Sequence, residues 1–410
     1  MENKESLFKS LVNTTVIVSA LGYFVDIYDL ILFGIVRVAS LKSLGVTGDE
    51  LINQGVYLLN MQMSGMLIGG IIWGVLGDKK GRLSVLFGSI FLYSAANIAN
   101  AFVTTTQMYA ILRFVAGVGL AGELGAAVTL ISEVMPKEHR GYATAIVATV
   151  GVTGAIFAAI IGDLFSWQAA YIIGGVLGLV LLVLRIKMFE SGMYKNIAAS
   201  NVRKGDFLQL FTSKDRFFRY INCILIGLPI WYVVGILITF SPEFGKYLGV
   251  SEPIAAGKSI MFTYIGLIFG DFASGFLSQY LKSRKKAIMI FILLTAIFIF
   301  VYLFFRNLSL TEFYGLCVLL GISIGYWAVF VTTASEQFGT NLRATVTTTV
   351  PNFVRGAVVP LTLAFGFLKT GFGMIWAALF VGVLSLIIAF VSLYHLEETH
   401  SKDLDYVEDI

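Results

Sequence analysis

The sequence predicts an all-α integral membrane protein of twelve transmembrane helices in two six-helix pseudo-repeat bundles, and three observations carry that expectation. First, the 410 residues are 57% hydrophobic and only 13% charged, with a mean hydropathy of +0.85. The surface of a soluble protein cannot be built from that balance. Second, the apolar residues gather in runs of about 20 or more, enough at ~1.5 Å per residue to cross a ~30 Å hydrocarbon core. Third, the chain repeats itself. Ser132-Glu133, Pro136 and Arg140-Gly141 recur as Ser335-Glu336, Gly339 and Arg343-Ala344, and Gly122 matches Gly325 at the same offset of 203 residues. A weaker echo of Gly74, Asp78 and Arg82 is found at Gly275, Gln279 and Ser283.

Eight runs carry no charge: Leu51 to Gly77, Leu83 to Val103, Gly141 to Ile161, Trp167 to Leu184, Tyr220 to Pro242, Ala287 to Phe305, Phe313 to Ser335 and Gly371 to Tyr394. They are spans 2, 3, 5, 6, 7, 9, 10 and 12. Spans 1 (Leu11 to Val36), 4 (Gln107 to Ser132), 8 (Ser259 to Leu281) and 11 (Ala344 to Leu368) contain isolated charges. The charged stretch from Arg185 to Arg219 joins the halves. The domains expected are therefore a bundle over 1–188, a linker over 189–216, a second bundle over 217–396 and a tail over 397–410. Met1 to Ser10 is polar and the apolar run after it is long, so no cleavable signal is expected.

With an even number of spans both termini share a side, and that side collects 21 of the 29 Lys and Arg against 5 in the opposite loops. The termini are expected in the cytoplasm and the protein in a cell membrane, of the bacterial inner-membrane kind. Basic clusters such as Lys282/Arg284/Lys285/Lys286 read as topology signals and lipid headgroup contacts, not as a nucleic-acid site. Cys223 and Cys317 lie inside spans without metal or redox spacing. Gly117-x-Gly119-x-x-Gly122 matches a dinucleotide-binding string, yet lies mid-span with no preceding strand. Gly257-Lys258-Ser259 resembles the end of a phosphate loop, but Glu252 stands where its first glycine belongs. Neither supports a nucleotide site, no catalytic or metal constellation is found, and no cofactor, metal or enzymatic activity is expected.

Charges inside the membrane are the functional candidates, because each costs roughly 2.5–3.5 kcal/mol on insertion scales. Six are present: Asp26, Asp29, Arg113, Glu123, Asp271 and Arg355. Four carboxylates against two guanidiniums leave an excess of negative charge that a proton can neutralise, so Asp26, Asp29, Arg113 and Glu123 are the expected proton-coupling groups. Asp26 and Asp29 stand about one turn apart, and Arg113, roughly 9 Å below the far surface, shares the depth of Asp29. A latch between spans 1 and 4 is the other reading of that pair. His139, His395 and His400 lie at or beyond helix ends and are excluded as carriers.

Arg355 follows Pro351-Asn352 and precedes Pro360, on a span expected to kink, about 18 Å from the cytoplasmic surface. A guanidinium at mid-depth suits a carboxylate, and a structural ion pair with Asp271 is the alternative. Asn352, Tyr23, Gln62, Trp231, Tyr326 and Trp327 are the expected companions in binding.

These residues also carry a resemblance. Gly74 to Arg82, reading GVLGDKKGR, resembles the signature between helices 2 and 3 of the major facilitator superfamily. Arg113 to Glu123 resembles its helix 4 signature, and Glu133, Pro136, Arg140 and Gly141 the loop after it. Gly22, Asp26, Tyr28, Asp29, Phe33 and Gly34 resemble the metabolite:proton symporter branch, with Ile27 where an aromatic is usual. The resemblance implies proton-coupled uptake of a small, carboxylate-bearing metabolite by alternating access in a monomer, its partners being solute, protons and bilayer. It also implies gating by Gly74, Asp78, Gly81, Arg82, Glu133, Arg140, Glu336 and Arg343, with Glu133/Arg140 and Glu336/Arg343 as latches. A proton-driven exporter or antiporter, a uniporter, and a solute sensor that does not transport remain open alternatives.

Overall fold

The computed structural model describes residues 14–80, 82–123, 140–190, 207–400 and 408. Every regular element among them is helical. The first half consists of α1 (Thr14–Ser43), α2 (Glu50–Lys80), α3 (Arg82–Asn100), α4 (Thr106–Leu120), α5 (Arg140–Leu164) and α6 (Trp167–Glu190). After a short 3₁₀ turn (Phe207–Phe211), span 7 is built from α7 (Lys214–Leu225), α8 (Leu228–Tyr232) and a π-helical turn (Val233–Ile238). A short α9 (Ser241–Leu248) precedes α10 (Ala256–Tyr280) and α11 (Arg284–Phe304), which are spans 8 and 9. Span 10 is split into α12 (Leu310–Ile324) and α13 (Trp327–Glu336). Span 11 is α14 (Thr340–Gly356) continued by the first part of α15 (Val358–His395), and span 12 is the remainder of α15. The turn between them is made at Gly373, whose φ of 76° favours glycine.

Proline chemistry explains two of the breaks. Pro229 cannot donate to the Leu225 carbonyl, and α7 stops at Leu225. Likewise Pro360 cannot donate to Gly356, where α14 stops, whereas Pro351 is carried inside α14. The irregularity expected in span 11 falls at Ala357, between α14 and α15. Span 6 runs further than its uncharged stretch implies: α6 continues through Arg185 to Glu190, and Arg185 is buried. The boundary expected at 188 thus falls inside α6, and that at 217 inside α7.

Polarity is arranged as a bilayer demands. Phe91, Ile111, Phe269, Phe276, Phe367 and Tyr394 lie exposed on the outside, while Arg37, Arg113 and Arg355 are among the largest fully buried side chains. Glycine allows the closest helix crossings in both halves. A Cβ on Gly65 would strike the Phe114 carbonyl and one on Gly117 the Gln62 carbonyl, so spans 2 and 4 touch backbone to backbone. Spans 8 and 10 repeat this, with Gly266 against Val318 and Gly321 against Thr263. Gly74, which opens the signature between spans 2 and 3, has open space around it.

At the face where span 12 ends, Glu398 accepts from the Ser283 hydroxyl and from the N–H groups of Arg284, Lys285 and His400. Burial pushes its carboxyl up, but these donors outweigh burial and hold it below the ordinary Glu range.

Candidate functional site

The two halves meet around a cavity. Tyr23 of α1, Trp231 of α8, Tyr264 of α10, Trp327 of α13 and Arg355 of α14 line it together with aliphatic side chains. Its volume is about 30 Å³, room for one or two waters, so an organic solute requires the walls to part. Arg355 is 1% exposed and its Nη1 lies 3.7 Å from Oδ2 of Asp26, which is fully buried. Its guanidinium carbon stands 5.9 Å from the Trp231 ring centre and 5.8 Å from that of Trp327. Among the described residues Arg355 Nε and Nη1 have no hydrogen-bond acceptor, and neither oxygen of Asp26 has a donor. The pair is thus loose, each group holding unused capacity, and it joins the first half to the second.

Asp271 does not take Arg355. Its Oδ1 accepts the Ala328 N–H at 3.1 Å, capping the first turn of α13 where span 10 is broken. Trp327, the first residue of that helix, is thereby presented to the cavity. Tyr326 stays in the break, donating to the Ile226 carbonyl at 3.1 Å, so it joins the interruptions of spans 10 and 7 instead of lining the cavity. Asn352 bridges the halves through Nδ2 to the Ala121 carbonyl at 2.9 Å. Gln62 remains within the first half, its Nε2 donating to the Leu30 carbonyl at 3.2 Å. Sequence reasoning missed Tyr264, since an aromatic residue in a span carries no signal that separates lining from packing.

A second set of charges lies inside the first half. Asp29 and Arg113 are fully buried electrostatic neighbours, with Asn97 beside Asp29. Among the described residues neither Asp29 nor Arg113 makes a direct ion pair, and no side-chain hydrogen bond of good geometry reaches either. Arg113 instead faces the rings of Phe33 and Tyr171 at 5.4 and 5.6 Å. Glu123 is committed elsewhere, to a bidentate pair with Arg185 at 2.5 and 3.0 Å. Gly22 leaves room for it, because a Cβ there would strike both Arg185 and Glu123. In the sequence Arg185 opens the charged stretch that joins the halves, and the charges following it conceal its membership of span 6.

Between the cavity and the face opposite the C-terminus lie two further contacts across the halves. Thr362 donates to Asn60 Oδ1 at 2.6 Å. Beyond it, Arg37 Nη2 lies 2.7 Å from both oxygens of Glu243, while Nη1 donates to the Leu51 carbonyl and the guanidinium covers Phe240 at 4.5 Å. Among the expected gating residues, Glu336 pairs with Arg284 at 3.4 Å and accepts from Thr399, whereas Arg343 donates to the carbonyls of Ser335 and Phe338. The expected Glu336/Arg343 latch is thus made by Arg284, which reaches Glu336 from the start of α11. Gly81 and Glu133 lie outside the described residues, as do the side chains of Asp78, Arg82 and Arg140.

Comparison with known proteins agrees with this geometry. The model of the Major Facilitator Superfamily matches residues 19–359. NiaP of Bacillus subtilis (strain 168), named for niacin and nicotinamide transport, is 27% identical over 350 residues, covering 82% of this chain and 84% of that protein. A gentisate transporter of Corynebacterium glutamicum is 24% identical over 431 residues, covering 98% and 92%. The crystal structure of a D-xylose-proton symporter shares the fold at a TM-score of 0.70, with 16% identity and coverage of 95% of this chain and 98% of that one.

Proposed function

The chain belongs to the Major Facilitator Superfamily, and we propose that it imports a small aromatic carboxylate together with protons by alternating access. Membership makes it a multi-pass membrane transport protein and not an enzyme. The observation that carries the finer reading is the Arg355–Asp26 contact, 3.7 Å long, buried, and shared between the halves at an aromatic-walled cavity. A planar guanidinium with free donors takes a carboxylate in two parallel bonds, and the indole rings beside it suit a flat body. Niacin and gentisate, for which two relatives are named, are both aromatic carboxylates.

Coupling follows from competition. When a substrate carboxylate occupies Arg355, Asp26 loses its counter-charge in a low-dielectric site and takes up a proton. Substrate and proton then favour each other, and the neutralised contact no longer ties span 1 to span 11. Asp29 and Arg113 are a second pair able to respond in the same way. The charge bias of the loops supports cytoplasmic termini, and relatives from bacteria support the inner membrane. The face closed by Arg37 and Glu243 is then the outer one, and it must open for import.

The test is reconstitution in liposomes with labelled gentisate, benzoate and pyridine-3-carboxylate. An inward acid gradient should drive accumulation of at least one of them, and an uncoupler should abolish it. Accumulation indifferent to pH and potential would leave a uniporter, and binding without exchange of internal for external label would leave a sensor.

A further inference from the structure

Every polar side chain lining the cavity carries a donor, and one of these donors is unexplained by a carboxylate held on Arg355. Trp231 is 5% exposed, lines the cavity, and its indole N–H has no acceptor among the described residues. An indole nitrogen can only donate, and a buried donor without a partner is a standing penalty. Beside it Arg355 also keeps free donors, whereas several aromatic donors are answered by the fold. Tyr232, the next residue, donates to the Ala378 carbonyl at 2.6 Å, Tyr326 to Ile226 at 3.1 Å, and the indole of Trp73 to Val118 at 2.6 Å. Among the five indoles of the described residues, only that of Trp231 is buried and unpaired. Its backbone is also irregular on both sides. Pro229 precedes it in a five-residue α8, and the π-helical turn Val233–Ile238 follows directly. Wide turns of this kind change which way a side chain faces and recur at functional positions.

Resting on the reading of Arg355 as the carboxylate anchor, we propose that the Trp231 N–H reads a second acceptor, carried on the ring of the substrate. The substrate class is then a heteroaromatic or ring-oxygenated carboxylate, not one with a wholly apolar body. A site with a buried donor discriminates strongly against an analogue that cannot satisfy it.

Pyridine-3-carboxylate and benzoate isolate this feature, since they differ by a ring nitrogen in place of a C–H. At neutral pH that nitrogen is an unprotonated acceptor. A purely apolar wall would favour benzoate, because the pyridine nitrogen must shed water to enter. The purified full chain should instead bind pyridine-3-carboxylate about tenfold more tightly or better. In Trp231→Phe, which keeps a ring beside Arg355 and removes the donor, the preference should vanish or reverse. Should that variant not fold, 3-methoxybenzoate against 3-ethylbenzoate on the wild-type protein poses the same question, with the ether expected to win. Equal binding within either pair, or a preference that survives intact in Trp231→Phe, overturns the inference while leaving the carboxylate reading in place. If no aromatic carboxylate binds, or if binding is indifferent to Arg355→Ala, both fall together.

Discussion

A carboxylate anchor at Arg355 depends on geometry as well as charge. An ammonium cannot reproduce two parallel bonds, nor spread its charge beside the rings of Trp231 and Trp327 as a flat guanidinium does. Arg355→Lys should therefore weaken binding of aromatic carboxylates by at least about tenfold and Arg355→Ala by more, since a lost charge-assisted bond is worth about 1.5–3 kcal/mol. Equilibrium binding to the purified variants checks this, and unchanged affinity in either one removes Arg355 from the site. Coupling is separable from binding. Asparagine keeps the shape of a protonated aspartate but cannot titrate, so the variant of the true carrier should still exchange substrate yet lose accumulation against a gradient. If Asp26 is the carrier, Asp26→Asn should show this and Asp29→Asn should accumulate normally; the reverse result moves coupling to Asp29 and Arg113. Misfolding of Asp29→Asn alone would make that pair a latch, its loss leaving Arg113 buried and uncompensated. At this scale the sequence was most informative where a charge interrupts an apolar run, which is how Asp26, Asp29 and Arg355 stand out. It was least informative at Arg185, hidden beside the charged linker, and at Tyr264, one aromatic among many.

The elements that shape the cavity are the broken ones. Spans 7, 10 and 11 are interrupted at Gly227, at Gly325-Tyr326 and at Ala357, and Trp231, Trp327 and Arg355 each stand within a turn or two of a break. Prolines announce the first and last of these in the sequence. The break in span 10 has no proline. Its causes are Gly270 and Gly325 pressing backbone on backbone and Asp271 receiving the freed N–H of Ala328 from another span, both visible only after folding. Asp271 therefore acts as the cap of α13 and holds Trp327 in place. Asn is a competent cap, whereas Leu fills similar volume and caps nothing. Asp271→Asn should retain thermal stability and affinity, while Asp271→Leu should lose about 0.5–2 kcal/mol of stability, the usual value of a cap, and weaken ligand binding with it. Melting and binding measured on the same preparations decide the matter. If the Asn variant loses affinity as badly as the Leu variant, the charge of Asp271 and not its capping is what the site uses.

For the whole molecule, the twelve spans and the two-fold repeat were legible because run length and repeat are local or periodic signals. The state of the molecule was not, because it depends on contacts such as Arg37–Glu243 and Asp26–Arg355 between residues hundreds of positions apart. Three layers, at Arg37–Glu243, Asn60–Thr362 and Asp26–Arg355, join the halves from the face opposite the C-terminus down to the cavity. Alternating access requires all three to part. Arg37 is the strongest, being fully buried, bonded to both oxygens of Glu243 and also to the carbonyls of Leu51 and Thr239. Removing one partner of a buried pair costs about 3–5 kcal/mol, and that cost falls on the closed state alone if opening hydrates the survivor. Glu243→Gln should thus shift the population towards the state open on that face. A cysteine placed at Ile27 in the cavity wall reports on it through a membrane-impermeant thiol reagent applied from that side. Labelling should rise by about tenfold for each 1.4 kcal/mol of shift. The double variant Glu243→Gln with Arg37→Met leaves no stranded charge in either state, so its labelling should fall back towards the parent. Should Glu243→Gln lower the melting temperature without changing access to Ile27→Cys, the pair stabilises both states alike and is not the closure of that face.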